Sequence, residues 1–284
     1  SMPLLSRNTS VAAAASRECP DACASERPCR FGGSFRRNPV VRMTGLSLEE
    51  NDVHVWYATP DALRKDAFLS SGDGLLSPDE VDRQQRFSSK AARLLHRTGR
   101  VLVRTTLSRY EDVSPSAWIF RAGPNGRPEI AAPSTSAPLR FNLSHTDGMA
   151  VCAVARHLAV GIDVESLKRP CRCEQIARRF FPGTEIRDIE SLPPEARRKR
   201  FLEFWTLREA FLKAGGWGLS LPLNKIAFTI RPDKTVAALF DPTLGEDPAQ
   251  WQFRLIPLPP GHTAALAVKG LGDDKLRLAV RQVS

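Results

Sequence analysis

The spacing of hydrophobic residues predicts a chain in which helices and strands are interspersed. Short apolar or alternating runs predict strands at residues 53–58, 118–121, 141–143, 149–155, 158–164, 226–230, 235–240, 251–256, 263–268 and 275–280. Apolar residues at helical spacing predict helices at residues 77–87, 89–110, 174–181, 183–190 and about 194–214. Each half of the chain therefore contains helices and strands, and we predict the α+β fold class.

Composition and pattern divide the chain into three parts. Residues 1–45 are rich in Arg, Ser and Ala and lack hydrophobic periodicity, so we expect a disordered N-terminal extension. The pattern then predicts an N-terminal subdomain at residues 46–156 and a C-terminal subdomain at residues 157–284. No repeat at the level of single residues relates the two.

Two helix boundaries are predicted by their terminal residues. The segment Ser77-Pro78-Asp79-Glu80 has a capping serine, a proline at the first helical position and a glutamate three residues after the cap. At the other end of the chain, Gly215-Gly216 follows a long helical pattern, and glycine is common just past a helix C-terminus.

The overall composition narrows the classes of partner. The 284 residues are 42% hydrophobic and 25% charged, which is typical of a globular protein, and no apolar run approaches the ~20 residues of a membrane span. The net charge of +10 favours an anionic partner: nucleic acid, a phosphorylated cofactor or an acidic protein. The run Arg197–Arg200 could steer such a partner, or it could be a solvated helix face.

Six cysteines are present, and we expect all of them to be reduced thiols of a cytoplasmic protein. Cys152 lies within an apolar run, where a small buried thiol is expected. Cys171 and Cys173 are separated by a single residue, which is too tight for an unstrained disulfide.

Three carboxylates and one lysine are the candidate chemical groups. Asp163 and Glu165 are two residues apart in a predicted strand and should share a face. Glu209 and Lys213 are four apart in a predicted helix and should share a face as well. Each pair alone is more often an exposed polar face. Together they form the set that a hard divalent cation holding a pyrophosphate would need.

Several motifs resemble those of the 4'-phosphopantetheinyl transferases, in the larger class typified by the surfactin-synthetase activator. The similar segments are 141–145, 161–165, 205–213 and 218–223, in the family's order and spacing over about residues 80–230. The resemblance implies two similar α/β subdomains in a pseudo-twofold arrangement, with the active site at their interface. It implies transfer of the 4'-phosphopantetheine group from coenzyme A to a serine of an acyl or peptidyl carrier protein, with release of 3',5'-ADP.

The resemblance also implies roles for single residues. Mg²⁺ would be bound by Asp163, Glu165 and Glu209 together with the pyrophosphate. Glu209 would help to remove the proton of the carrier serine, and Lys213 would assist the departing 3',5'-ADP. Contacts to coenzyme A are implied for Arg83, Arg86, His96, Gly126, Arg127, Pro128, Ser144, His145, Asp163, Arg208 and Lys213.

Since both halves are present in one chain, we expect a monomer. We also expect a cytoplasmic protein whose partners are coenzyme A and carrier proteins, without nucleic acid or membrane. The carrier and its pathway cannot be predicted from these residues. Two alternatives stay open: a Mg²⁺-dependent nuclease or phosphohydrolase acting on an anionic polymer, and a non-catalytic binding module. Lys213 could also be no more than an ion-pair partner of Glu209.

Overall fold

Two helix-backed sheets pack against each other in the computed structural model, which describes residues 45–65, 74–135, 137–218, 221–272 and 275–283. The predicted N-terminal extension lies outside the described residues except for Gly45. The helices are α1 (Pro60–Lys65), α2 (Pro78–Gln85), α3 (Lys90–Leu107), α4 (Cys173–Phe180), α5 (Gly183–Ser191) and α6 (Pro194–Gly215).

The first sheet has the strand order β11-β1-β5-β4. Its strands are β1 (Asp52–Ala58), β4 (Leu139–Thr146), β5 (Met149–Arg156) and β11 (Arg277–Gln282). Strand β1 is antiparallel to β5 and parallel to β11, and β4 is antiparallel to β5. Strand β5 is buried on both faces, which explains why its sequence is a continuous apolar run.

The second sheet has the order β6-β10-β9 and is antiparallel. Its strands are β6 (Ala159–Ser166), β9 (Trp251–Ile256) and β10 (His262–Lys269). Two small hairpins complete the described strands: β2 (Ile119–Ala122) with β3 (Pro128–Ala132), and β7 (Ile226–Ile230) with β8 (Val236–Phe240).

The core has two parts that define the layers. Buried residues of α3, such as Leu102, pack on one face of the first sheet beside Trp56 and Cys152. The opposite face of that sheet packs on the second sheet, where Val151 and Ile162 are fully buried. Helix α6 covers the outer face of the second sheet. This arrangement confirms the predicted α+β class, while the pseudo-twofold relation stays a prediction.

The ends of two helices match their sequence signals. The Ser77 side chain accepts from the Glu80 amide and the Glu80 side chain accepts from the Ser77 amide, so the predicted capping box forms at α2. Helix α6 ends at Gly216, whose φ of 71° is in the left-handed region that glycine adopts at low cost.

The last strand of the chain does not follow the predicted domain boundary. Strand β11 belongs to residues 157–284, yet it pairs with β1 at the edge of the first sheet. The N-terminal half therefore obtains one strand from the C-terminus, and the subdomain boundary at residue 156 stays a prediction. Among the described residues, no helix is long and apolar enough to cross a membrane.

The cysteines differ in part from expectation. Cys152 is a buried free thiol, as predicted. The structure joins Cys171 and Cys173 in a disulfide with Cα atoms 5.2 Å apart, whereas the sequence predicted two reduced thiols. Cys19, Cys23 and Cys29 lie outside the described residues.

Candidate active site

Strands β4 and β6 join the two sheets through side chains rather than through a backbone ladder. Alternate residues of β4 point towards β6. Asn142 Oδ1 accepts from the Ile162 amide at 2.8 Å, and Thr146 Oγ1 accepts from the Ser166 amide at 3.2 Å. Between these two contacts lies Ser144, so the line where the sheets meet is polar and buried.

Lys213 connects helix α6 to this line. Its Nζ atom donates to Asp163 Oδ1 at 2.6 Å, to Ser144 Oγ at 3.0 Å and to the Ile162 carbonyl at 3.2 Å. Ser144 Oγ also donates to Asp163 Oδ1 at 2.9 Å. Strand β4, strand β6 and helix α6 thus converge on one carboxylate. The partner of Lys213 is Asp163 rather than Glu209, which corrects the ion pair considered from the sequence.

Glu165 lies on the same face of β6 as Asp163, as the strand spacing predicts. Its Oε2 atom accepts from Thr146 Oγ1 at 3.4 Å and pairs with Arg169 Nη1 at 3.2 Å. Both carboxylates are buried, with 6% of Asp163 and 8% of Glu165 exposed. Two neighbouring carboxylates with so little solvent exposure need a cation or shared protons nearby.

Glu209 lies within electrostatic reach of both acids. Burial, and then the charge of Asp163, raise the pKa of Glu209 above its ordinary value, with Glu165 adding to the shift. Burial and the charge of Asp163 also raise the pKa of Glu165. In the described parts of the chain, no group of three Asp, Glu, His or Cys side chains is arranged so that it could hold a metal ion. The three carboxylates are nevertheless oxygen donors of the kind that Mg²⁺ prefers, and Lys213 already places positive charge on one of them.

Gly161 allows the helix to approach the strand. A Cβ atom at this position would collide with the carbonyl oxygen of Ala210 and the backbone nitrogen of Ala214. The backbones of β6 and α6 are therefore in direct contact, two residues before Asp163. This close approach places Glu209 and Lys213 beside the acids of the strand.

Arg127 anchors the C-terminal end of α6 through hydrogen bonds to backbone carbonyls. Its guanidinium donates to the carbonyls of Lys213, Ala214 and Val160 at 2.9, 3.0 and 2.9 Å. The turn that carries it is also held by Asn125, whose Nδ2 atom donates to the Gly216 carbonyl at 2.6 Å. Gly126 supplies a left-handed backbone, with φ of 75°, and Pro128 begins β3. The Arg127 guanidinium thus binds backbone carbonyls in this structure, although the resemblance implied a cofactor contact.

A second set of side chains forms a basic cluster beside β4. His96 and Arg100 are four residues apart on α3, and Arg83 of α2 and His145 of β4 are close enough to perturb them. Burial, then Arg100, Arg83 and His145, lower the pKa of His96 to about 4. Both ring nitrogens of His96 are buried without a hydrogen-bond partner. Such a concentration of unpaired donors and positive charge suits an anion.

Arg100 is a member of this cluster that the sequence analysis did not select. Burial lowers its pKa most, and the neighbouring Arg83 and Arg104 lower it further. Its i+4 spacing from His96 would have placed both on one helix face, so that spacing was the signal that could have identified it.

Ser144 and His145 are placed on opposite faces of β4 by the alternation of the strand. Ser144 joins the network of Asp163 and Lys213, whereas His145 faces the basic cluster. Part of the His145 surface is exposed, but desolvation in the cleft, Lys213 and Arg100 lower its pKa. Arg86 lies exposed at the C-terminus of α2.

Arg208 is placed in the core rather than in the cleft. It is fully buried and pairs with the equally buried Glu185 at 2.7 Å. The guanidinium also donates to the carbonyls of Leu223, Phe204 and Ile226. Its donors are used inside the protein, so the predicted contact of Arg208 with the cofactor is not retained.

The chain is similar to known proteins over most of its length. Residues 159–268 match the family model described as the 4'-phosphopantetheinyl transferase superfamily. The chain is 33% identical over 227 residues to the 4'-phosphopantetheinyl transferase HetI of Nostoc sp., an alignment that covers 80% of this chain and 92% of HetI. It is 34% identical over 164 residues to the 4'-phosphopantetheinyl transferase Sfp of Bacillus subtilis, covering 57% and 70% of the two chains.

Among solved structures, the holo-[acyl-carrier-protein] synthase of Helicobacter pylori in complex with coenzyme A is similar, with a TM-score of 0.33 and 19% identity. That match covers 39% of this chain and 99% of the other.

Proposed function

Because the chain belongs to the 4'-phosphopantetheinyl transferase family, we propose that it performs this reaction in the cleft formed by β4, β6 and α6. The enzyme transfers the 4'-phosphopantetheine group of coenzyme A to a carrier protein. The single observation that supports this location best is the Lys213–Asp163–Ser144 network, which joins the three motif-bearing elements. Glu165 and Glu209 lie beside it.

We propose that Asp163, Glu165 and Glu209 hold Mg²⁺. Support comes from the donor set, which is all oxygen, and from the proximity of the three carboxylates, because burial and then the charge of Asp163 raise the pKa values of both Glu165 and Glu209. When bound, Mg²⁺ would supply charge neutralisation to the pyrophosphate. Lys213 would then remain near the phosphate that becomes part of the departing 3',5'-ADP.

The basic cluster is the proposed binding site for the 3'-phosphate of coenzyme A. The single N–H of the neutral His96 ring, the guanidinium groups of Arg83 and Arg100, and the exposed part of His145 offer donors to a dianion. Contacts of Arg86 and of the turn at Gly126–Pro128 with coenzyme A remain predictions from the resemblance. The Ser144 hydroxyl is hydrogen-bonded to Asp163 and Lys213, so we propose that it positions the Lys213 side chain.

Glu209 is the proposed general base. It lies beside Asp163 and Glu165, and the serine of the carrier needs a nearby proton acceptor to attack phosphorus. A monomer and a cytoplasmic location remain predictions from the sequence. So does the class of carrier, acyl or peptidyl.

The activity is tested by intact-mass spectrometry of apo-carrier proteins incubated with the enzyme, coenzyme A and Mg²⁺. Modified carriers should be heavier by about 340 Da, the mass of one phosphopantetheine group calculated from its formula. Removal of Mg²⁺ with a chelator should abolish the shift. Cleavage of single-stranded DNA together with unmodified carriers would instead support the nuclease alternative.

The assignment of the base is tested with Glu209→Gln. We expect kcat to fall by about 10²–10⁴-fold, the usual contribution of a general base. Glu195→Gln is the matched control, because Glu195 lies in the first turn of the same helix. Full activity of Glu209→Gln would show that another group accepts the proton.

A further inference from the structure

A cavity of about 200 Å³ lies between α4, α5 and the start of α6, away from the carboxylates. Its lining is mostly apolar, with one buried aromatic ring, two arginines and one glutamate, and comprises Cys173, Glu174, Ala177, Ile189, Pro194, Arg197, Arg198 and Phe201. The cavity is smaller than the sites that hold cofactors or drug-sized ligands, which measure roughly 300–1,000 Å³. It has room for a side chain.

Arg198 distinguishes this cavity from an ordinary packing defect. The Nε and Nη2 atoms of its guanidinium are buried and have no hydrogen-bond partner among the described residues. Its neighbours differ: Arg197 donates to the carbonyls of Leu192 and Glu190, and Arg200 pairs with Asp188 and Glu203. Two buried N–H groups without an acceptor are unfavourable, so an acceptor from outside the chain would complete this site.

The surrounding surface indicates the charge of the occupant. Residues 172–200 contain eight Arg and Lys against five Asp and Glu, and one of those acids, Glu185, is already paired in the core. An acidic protein surface would be attracted here. The floor of the cavity, formed by Ala177, Ile189 and Phe201, is buried and apolar. Such a floor suits a protein side chain better than the phosphate backbone of a nucleic acid.

Position along α6 relates the cavity to the proposed chemistry. Arg198 and Glu209 are eleven positions apart on one helix, which corresponds to about 16 Å at 1.5 Å per residue. A standard protein interface of ~800 Å² on each partner is about 30 Å across. One bound protein could therefore reach the cavity and also present a serine near Glu209.

We propose that this cavity receives an acidic side chain of the carrier protein, whose carboxylate pairs with Arg198 while an adjacent apolar group contacts the floor. This inference rests on the proposed function and names the part of the enzyme that recognises its protein substrate. Phe181 is not available to the carrier, because it is buried against Phe201 with ring centroids 5.2 Å apart.

The test compares Arg198→Gln with Lys199→Gln. The two substitutions remove the same charge from adjacent positions, but Lys199 is exposed and does not line the cavity. For Arg198→Gln we expect the KM for apo-carrier to rise about tenfold, with kcat and the KM for coenzyme A unchanged. Lys199→Gln should change the KM less than about twofold. Thermal unfolding of each variant verifies that the fold is retained.

A charge exchange then identifies the occupant. Arg198→Glu should bind the carrier poorly, and a carrier in which one surface Asp or Glu is changed to Arg should recover part of the loss. Equal effects of Arg198→Gln and Lys199→Gln, no effect of either, or no recovery with any acidic position of the carrier would overturn the proposal.

Failure of the proposed function gives a different result. In that case the wild-type enzyme leaves every carrier unmodified. If the wild type modifies carriers and only binding of single-stranded DNA depends on Arg198, the activity stands and the cavity proposal fails.

Discussion

At the scale of residues, the fold and the site depend on a few positions with strict local requirements. Gly161 is required by the contact between β6 and α6, and the Ser77–Glu80 box is required by the unpaired amides at the start of α2. The capping box is a local signal and was predicted from the sequence, whereas the contact of Gly161 with α6 joins residues about fifty positions apart and was not predicted. The environment of Arg208 was missed because its partner Glu185 is distant in sequence.

Gly161→Ala should reduce both stability and activity. The added methyl group would push α6 away from β6, costing about 1–3 kcal/mol or more and displacing Glu209 and Lys213 from Asp163. We expect a lower unfolding temperature and at least a tenfold loss of kcat/KM, measured by calorimetry and transfer assays. Gly45→Ala is the control, because no atom lies within 4 Å of a Cβ there. Wild-type kinetics for Gly161→Ala would contradict the close approach.

His96 should contribute to the pH dependence of stability. Its pKa is about 4 in the folded protein, where Arg100, Arg83 and His145 surround it, and about 6.5 when unfolded. Between these values the unfolded chain binds more protons, so the free energy of unfolding falls as the pH decreases from 6.5 towards 4. Allowing for residual hydration, the effect should be on the order of 1 kcal/mol.

Urea unfolding of the wild type and His96→Gln at several pH values measures this contribution. The difference in stability between the two proteins should change across this range, and the variant should lose less stability on acidification. His54, whose pKa is also lowered, is retained in both proteins and cancels in the comparison. Parallel curves would show that His96 is not a buried neutral ring.

At the scale of elements, α6 connects the core to the chemistry. Its position and length were predicted from helical spacing and from the glycines at its end. Its contacts were not, because a helix that is apolar around most of its circumference does not reveal which face meets which sheet. The buried pair of Arg208 and Glu185 lies in the middle of these contacts, between α6, α5 and the β7 strand.

Arg208→Met should destabilise the protein by about 3–5 kcal/mol, since it leaves the carboxylate of Glu185 buried without its cation. The double variant Arg208→Met/Glu185→Gln should recover much of this loss, because glutamine can still accept from the Phe228 amide that Glu185 Oε1 now binds at 2.6 Å. Midpoints of urea unfolding measure both. A destabilisation that the second substitution does not reduce would contradict this account.

At the scale of the whole molecule, the last strand completes the first sheet. Most strands were located within two or three residues by their apolar pattern, since burial imposes that pattern locally. Which strands pair could not be predicted, because pairing of β11 with β1 joins residues more than two hundred positions apart. The sequence predicted an interface between the two halves of the chain but not the hydrogen bonds between β4 and β6. Those bonds depend on how the two sheets pack.

Deletion of residues 276–284 should expose the edge of β1 and lower the unfolding temperature by several degrees or prevent folding. Arg277→Gln is the control, because it removes only the exposed pair between Arg277 and Asp52, and exposed ion pairs contribute little to stability. Calorimetry of the three proteins distinguishes the strand from the ion pair. Unchanged unfolding of the shortened chain would contradict the role of β11.

The direct contact of β6 with the C-terminal half of α6 also divides the helix for protein engineering. Beyond Trp205, backbone contacts and the Arg127 clamp leave little tolerance for substitution. The first two turns of α6 border the solvent and the cavity lined by Arg198. Libraries randomised there could be screened for altered carrier specificity without disturbing the proposed catalytic residues.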